Sequence, residues 1–164
     1  MSYKVLVIPE DPTHNGYILK PLMQAILAEA GKPLAKVDVL TNPKLGGYDH
    51  ALRAIKEELP ERYGFWDLWI FMPDADRASP AAMADLEANL AAKNVALLCC
   101  PAQPEVEIYA CAAYRKEIAV DWTSARVDPR MKEDVFQPLL KNLPLLLQLC
   151  PELQDLCDRI AAKI

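Results

Sequence analysis

Two carboxylates one residue apart, Asp74 and Asp76, follow a run of five apolar residues (Leu68-Trp69-Ile70-Phe71-Met72) and Pro73. A third, Glu10, follows a second apolar run, Val5-Leu6-Val7-Ile8, and Pro9. Alternate residues of an extended chain point the same way, so Asp74 and Asp76 would present their carboxylates together if the backbone stays extended. Oxygen donors of this kind suit Mg²⁺ or Mn²⁺, which keeps several waters and binds through one or two carboxylates plus a substrate phosphate. The chemistry in view is metal-assisted attack on a phosphoryl group. The competing account is that the aspartates only solvate a turn before a helix, where Ser79-Pro80 reads as N-cap and first helical residue and the helix N-terminus favours nearby anions.

A pattern of short strands and amphipathic helices must hold these residues. Lys4 to Pro9 reads as a first strand, Ala35 to Leu40 as a second, Leu68 to Met72 as a third and Val95 to Cys100 as a fourth. Between them the spacing predicts helices from about His14 to Ala30, from an Asp49 cap to about Leu59, and from Ser79 to about Ala92. Pro21 falls inside the first of these and predicts a kink or a later start. The fold class expected is α/β: a mostly parallel four-stranded sheet flanked by helices, Rossmann-like, with a helical C-terminal extension. In such sheets the first and third strands commonly lie side by side at the topological switch point, and ligands bind beyond the carboxyl ends of the strands. Glu10, Asp74 and Asp76 would then share one crevice, and their mutual repulsion would call for a cation.

At 164 residues with 52% hydrophobic and 25% charged residues, one soluble domain spanning 1–164 is expected, with a core over about 3–113 and a helical part over about 114–164. No apolar run reaches the roughly 20 residues that cross a bilayer, and Met1-Ser2-Tyr3-Lys4 enters a strand without a signal-peptide pattern. Five cysteines without a CxxC argue against a disulfide framework or a zinc site and for a reducing compartment, the cytoplasm. Cys99, Cys100, Cys111, Cys150 and Cys157 sit among apolar neighbours, where packing is the expected role. A net charge of −5 does not favour coating nucleic acid by bulk electrostatics, although a metal among carboxylates inverts the local field.

Other residues carry two readings each. His14 could contact a phosphate or a metal, or simply start a helix, and His50 is expected at the surface. Arg77 could hold a phosphate bidentately or form a salt bridge to Asp74 or Asp76. Glu107 could be a further metal ligand, a base, or an exposed carboxylate at a helix start. Lys44 with Gly46-Gly47 lacks the spacing of a P-loop and reads as a turn. Trp66, Trp69 and Trp122 are expected in the core. In the C-terminal third, Met131 to Leu143 and Pro151 to the C-terminus read as helices, the last carrying Leu153, Leu156, Cys157, Ile160 and Ile164 inward. Leu139, Leu143, Leu146 and Leu149 exceed the needs of one face and suggest a partner or a second copy of the chain.

Glu10 after the first strand and Asp74-Ala75-Asp76 after the third resemble the TOPRIM fold of topoisomerases, bacterial primases, recombination-mediator proteins and the overcoming-lysogenisation-defect nucleases. Val7-Ile8-Pro9-Glu10-Asp11-Pro12-Thr13 is similar to the Glu-Gly-x-Thr opening of small TOPRIM-like proteins found near defence and mobile-element genes. Pro104-Glu105-Val106-Glu107-Ile108-Tyr109 is similar to their Pro-x-x-Glu-x-aromatic segment. The resemblance covers about residues 3 to 113. It implies Mg²⁺-dependent phosphodiester chemistry on nucleic acid, with Glu10, Asp74 and Asp76 at the metal and Glu107 nearby. Two departures stand out: Asp11 replaces the glycine after the first Glu, and Arg77-Ala78-Ser79 replaces the glycine after the DxD. The alternative is a non-catalytic subunit that binds a partner protein through its leucine-rich C-terminal helices.

Overall fold

The structure, a computed structural model, describes residues 2–10, 12–41, 44–102, 143–144, 146–148 and 150–164, with the backbone alone for 12–18. The elements in chain order are β1 (Lys4–Pro9), α1 (Pro12–Glu29), β2 (Lys36–Val39), α2 (Tyr48–Glu57), α3 (Leu59–Tyr63), β3 (Leu68–Met72), α4 (Pro80–Ala91), β4 (Leu97–Cys99) and α5 (Pro151–Lys163). The four strands form one all-parallel sheet in the order β2-β1-β3-β4.

Parallel strands covered on both faces need apolar side chains at every position. β1 and β3 meet that need: Val5 to Pro9 and Leu68 to Met72 are buried. Alternation divides them between two cores. Val5, Val7, Leu68, Ile70, Met72 and Leu98 face the side covered by α1 and α5, where Leu22, Ile26, Leu153 and Ile160 fill the layer. Leu6, Ile8, Trp69, Phe71, Leu97 and Cys99 face α2, α3 and α4, meeting Ile55, Leu59, Met83, Leu86 and Leu90. The result is a helix–sheet–helix sandwich.

Several local expectations change. α1 begins at Pro12 and runs through Pro21, which removes one N–H from the ladder without ending the helix. The second helix is capped by Gly47, not by Asp49, whose side chain is engaged elsewhere. Gly47 has φ 105°, a left-handed conformation that residues with a Cβ avoid. That helix ends at Glu57, and Leu59 starts a second short one with Pro60 in its first turn. Ser79 does cap α4, its Oγ accepting from the Ala82 N–H at 3.1 Å. α5 starts at Pro151 and buries Leu153, Leu156, Cys157 and Ile160, but Ile164 is 45% exposed rather than inward. Leu143, Leu146 and Leu147 are buried in the core under α1 and α5, whereas Leu139 and Leu149 lie outside the described residues.

The outer edge of β4 is met by side chains. The Cys99 N–H donates to Glu87 Oε2 at 3.2 Å, and Arg159 Nη1 donates to the Cys99 carbonyl at 3.4 Å. Glu87 and Arg159 are themselves ion-paired and partly buried. A carboxylate from α4 and a guanidinium from α5 thus satisfy edge groups that would otherwise invite another strand. Arg159→Ala should cost about 1–3 kcal/mol, because it leaves a carboxylate and a carbonyl short of a donor. Glu87→Ala with Arg159→Ala should cost less than the two single losses together. Urea denaturation of the four proteins checks both; additive losses would mean the two side chains act independently.

Candidate carboxylate site at the switch point

The site is built where β1 and β3 end. Their register places Pro9 beside Met72, so Glu10 and Asp74 emerge from adjacent strands at the same edge of the sheet. This is the switch point of the β2-β1-β3-β4 order, since the connection from β1 leads to β2 on one side and β3 lies on the other. Asp74 is held from the β4 side as well. The Ala102 N–H donates to the Pro73 carbonyl at 2.8 Å, the Ala75 N–H donates to the Ala102 carbonyl at 3.0 Å, and Asp74 forms a parallel bridge with Ala102. The ladder therefore outlasts the strand by two residues and fixes the Asp74 backbone.

The Glu10 and Asp74 carboxyl groups lie close enough to act on each other directly. Partial burial, then the neighbouring Asp74 carboxyl, and then the Asp76 charge, push the Glu10 carboxyl up from its ordinary 4.5 to about 7, against an opposing pull from Arg77. Up to about pH 7 a proton on Glu10 therefore relieves the repulsion where two like charges would otherwise meet.

The structure separates the third carboxylate from this pair. After Asp74 the extended backbone ends, and Ala75, Asp76 and Arg77 form a turn, which removes the alternation that would have aligned Asp76 with Asp74. Asp76 is exposed and acts on Glu10 through its charge. Among the described residues no three His, Cys, Asp or Glu side chains converge at metal-ligand spacing. His14 lies in the first turn of α1 with its side chain outside the described residues, and Glu107 lies outside them altogether.

Arg77 pairs with neither Asp74 nor Asp76 in the salt bridge expected of it. Its Nη2 donates to both carboxylate oxygens of Asp49, at 2.9 and 3.0 Å. The guanidinium also lies over the Tyr48 ring, 5.1 Å from its centre. Tyr48 is buried and stacks on Phe71 of β3 at 6.3 Å. The pair joins the turn after β3 to the start of α2, which follows β2; these are the two strands flanking β1. With the two side chains 54% and 74% exposed, the pair is worth about 0.2–1 kcal/mol. Asp49 and Tyr48 are the site-edge residues that sequence reasoning missed. Asp49 has the residue type of a cap, and the glycine that caps instead left it free to reach Arg77.

Nearby features are structural. The Gly46 N–H donates to His50 Nδ1 at 2.9 Å, so Gly46-Gly47 forms a turn closed by a half-buried histidine. Trp69 is buried with its indole N–H on the Tyr63 carbonyl at 3.1 Å. Trp66 is half-buried, with Lys4 over its ring, while Trp122 and Cys111 lie outside the described residues. Burial pushes the Cys99 and Cys150 thiols up to about 12 and raises Cys100 and Cys157 as well, which keeps them protonated and unreactive. Among the described residues no helix is long and apolar enough to cross a membrane.

No family model, curated protein or solved structure matches this chain.

The raised Glu10 carboxyl sets a pH dependence. Between pH 4.5 and 7 the folded protein binds more of this proton than the unfolded chain does, so this group's contribution to stability falls as pH rises through that window. It is unfavourable above pH 7 and absent below about 4.5. In metal-free buffer, Glu10→Gln should flatten this part of the profile and melt higher than wild type at pH 8. Melting curves from pH 4 to 8 check it; parallel profiles for the two proteins would remove the raised Glu10 carboxyl.

Proposed function

We propose that the protein carries out divalent-cation-dependent phosphodiester chemistry on nucleic acid, with Glu10 and Asp74 at the reacting centre. The observation that carries this is the juxtaposition of Glu10 and Asp74 at the ends of adjacent strands, at the switch point of a parallel sheet. Its resemblance in sequence pattern to TOPRIM domains, Glu after β1 and DxD after β3, supports the same assignment.

The donor set fits Mg²⁺ or Mn²⁺. A carboxyl that keeps its proton up to about pH 7 beside a second carboxylate marks a place where positive charge is favourable, and both donors are hard oxygens. With two close carboxylates rather than a ring of ligands, an ion there would keep several waters, as Mg²⁺ prefers. Asp74 and Glu10 would hold it, with Asp76 contributing charge from the turn. When bound, the ion supplies Lewis-acid stabilisation of the charge that builds on the phosphate oxygens.

The chain's own residues supply the rest. Asp74, fixed by the Ala102 pairing, orients the centre. Glu10 joins Asp74 at the ion; where the ion sits on Asp74 alone, Glu10 is instead the group placed to take a proton from an attacking water. Arg77 is the cation at the rim that would meet a substrate phosphate. The partner-binding alternative loses part of its motive, since Leu143 and Leu146 are packed inside the chain's own core.

An ion that binds only the folded protein stabilises it by about 2.7 kcal/mol at 100 times its dissociation constant. For a chain of this size that is a rise in Tm of roughly 5–10 °C. Glu10→Gln and Asp74→Asn should each remove most of the rise while sparing or raising the metal-free Tm. Asp76→Asn should remove a smaller part. Mn²⁺-dependent cleavage of fluorescently labelled single- and double-stranded DNA and RNA should fall to background in Asp74→Asn. A wild type with no divalent-dependent shift, and Asn variants less stable than it, would assign these carboxylates to turn structure alone.

A further inference from the structure

We propose that Arg77 is an exchangeable phosphate-binding side chain, parked on Asp49 in the empty site and handed to an anionic substrate by Tyr48, which holds the guanidinium while its counter-ion changes. This rests on the carboxylate site being a phosphodiester site, and it adds two residues, Tyr48 and Asp49, that position Arg77 without touching the reacting atoms.

Three observations carry it. First, the Arg77–Asp49 pair is made by one guanidinium nitrogen, Nη2, shared between the two carboxylate oxygens, and is mostly exposed. An exposed pair contributes little and is cheap to exchange, and a phosphate offers the same planar two-oxygen edge that Asp49 now presents. Second, the guanidinium does not depend on Asp49 alone for its place. It lies over Tyr48, which is buried and stacked on Phe71, the residue of β3 next to Met72 at the strand's end. A guanidinium stacked on an aromatic face keeps its N–H edges free for an acceptor. Third, Arg77 stands at the end of the turn that begins at Asp74 and acts on Glu10 through its charge, so it is close to the carboxylate pair without being consumed by it.

A pair that served only to fasten α2 to the turn predicts something different. Its loss would lower stability, and anions would not compete with Asp49. The exchange instead predicts competition. Removing the Asp49 charge should strengthen the grip of Arg77 on phosphate by the worth of the exposed pair, up to about five-fold. Tyr48→Leu should weaken it, and Tyr48→Phe, which keeps the stacking face, should leave it near wild type.

The test uses the full chain and inorganic phosphate. Arginine is labelled with ¹⁵N, and the Arg77 Nε–H resonance is assigned by its loss in Arg77→Lys. Phosphate should move that resonance in wild type, with half-saturation at up to about five-fold lower concentration in Asp49→Asn and higher concentration in Tyr48→Leu. A resonance unmoved by phosphate in both wild type and Asp49→Asn overturns the exchange, as does weaker binding in Asp49→Asn when its Tm matches wild type. The same samples titrated with Mn²⁺ separate the two proposals. A divalent response without phosphate at Arg77 sinks the exchange alone. Phosphate at Arg77 without any divalent response leaves the exchange standing and sinks the phosphodiester centre.

Discussion

Five residues of β1 pair with five of β3, from Val5 beside Leu68 to Pro9 beside Met72, and all of these side chains are buried. The two faces of that ribbon are unequal. Val5, Val7 and Ile70 turn toward α1, while Leu6, Ile8, Trp69 and Phe71 turn toward α2 and α4. A slip of one residue in β3 would drive Trp69 and Phe71 under α1, into space shaped for smaller groups, and register is strongly specified where burial distinguishes the faces. The same register brings Glu10 level with the start of the acidic turn. The position of the carboxylate pair is therefore a consequence of how two hydrophobic cores divide the side chains of one strand pair.

That origin explains why the pair can be tolerated. Close carboxylates destabilise a fold by repulsion and desolvation, and the pull of the Arg77 charge on Glu10 only partly offsets this. The strands beneath them are held by side chains buried on both faces, and burying a single such side chain fully is worth about 1.5–3 kcal/mol. The scaffold can carry an electrostatic conflict at its rim without losing the fold. Strain of this kind at a functional rim, supported by a consistent core elsewhere, is a recurring division of labour in proteins.

Much of this was legible in the residues. The bounds of β1 and β3 could be read from apolar runs stopped by Pro9 and Pro73, and the start of α4 from Ser79-Pro80. The neighbouring of β1 and β3 followed from the topology rules for parallel sheets. What could not be read were features decided by three-dimensional competition. Asp49 looked like a cap, but a glycine with φ 105° made the cap and released the carboxylate. Asp76 looked aligned with Asp74, but a turn begins between them because the Ala102 pairing ends at Ala75. The leucines near residue 146 looked surplus until α1 and α5 were seen to share a core with them. For Asp76 and the leucines the deciding partner lies far away in sequence, where periodicity carries no information; for Asp49 it is the glycine two residues before it.

The choice made by Arg77 is the most informative of these. Its charge bears on Glu10, it binds Asp49, and it follows Asp76 directly in the chain. A turn that needed only to be stabilised would fold Arg77 back onto Asp74 or Asp76, ending the repulsion at its source. Instead the guanidinium is drawn away to Asp49 and held against Tyr48, and Glu10 keeps a proton up to about pH 7. A proton is a mobile counter-ion, whereas an arginine tethered to the same turn is not. The charge state of Glu10, at the end of β1, is thereby open to exchange with solvent near neutrality. Arg77 remains exposed at the rim, paired with Asp49 and held against Tyr48.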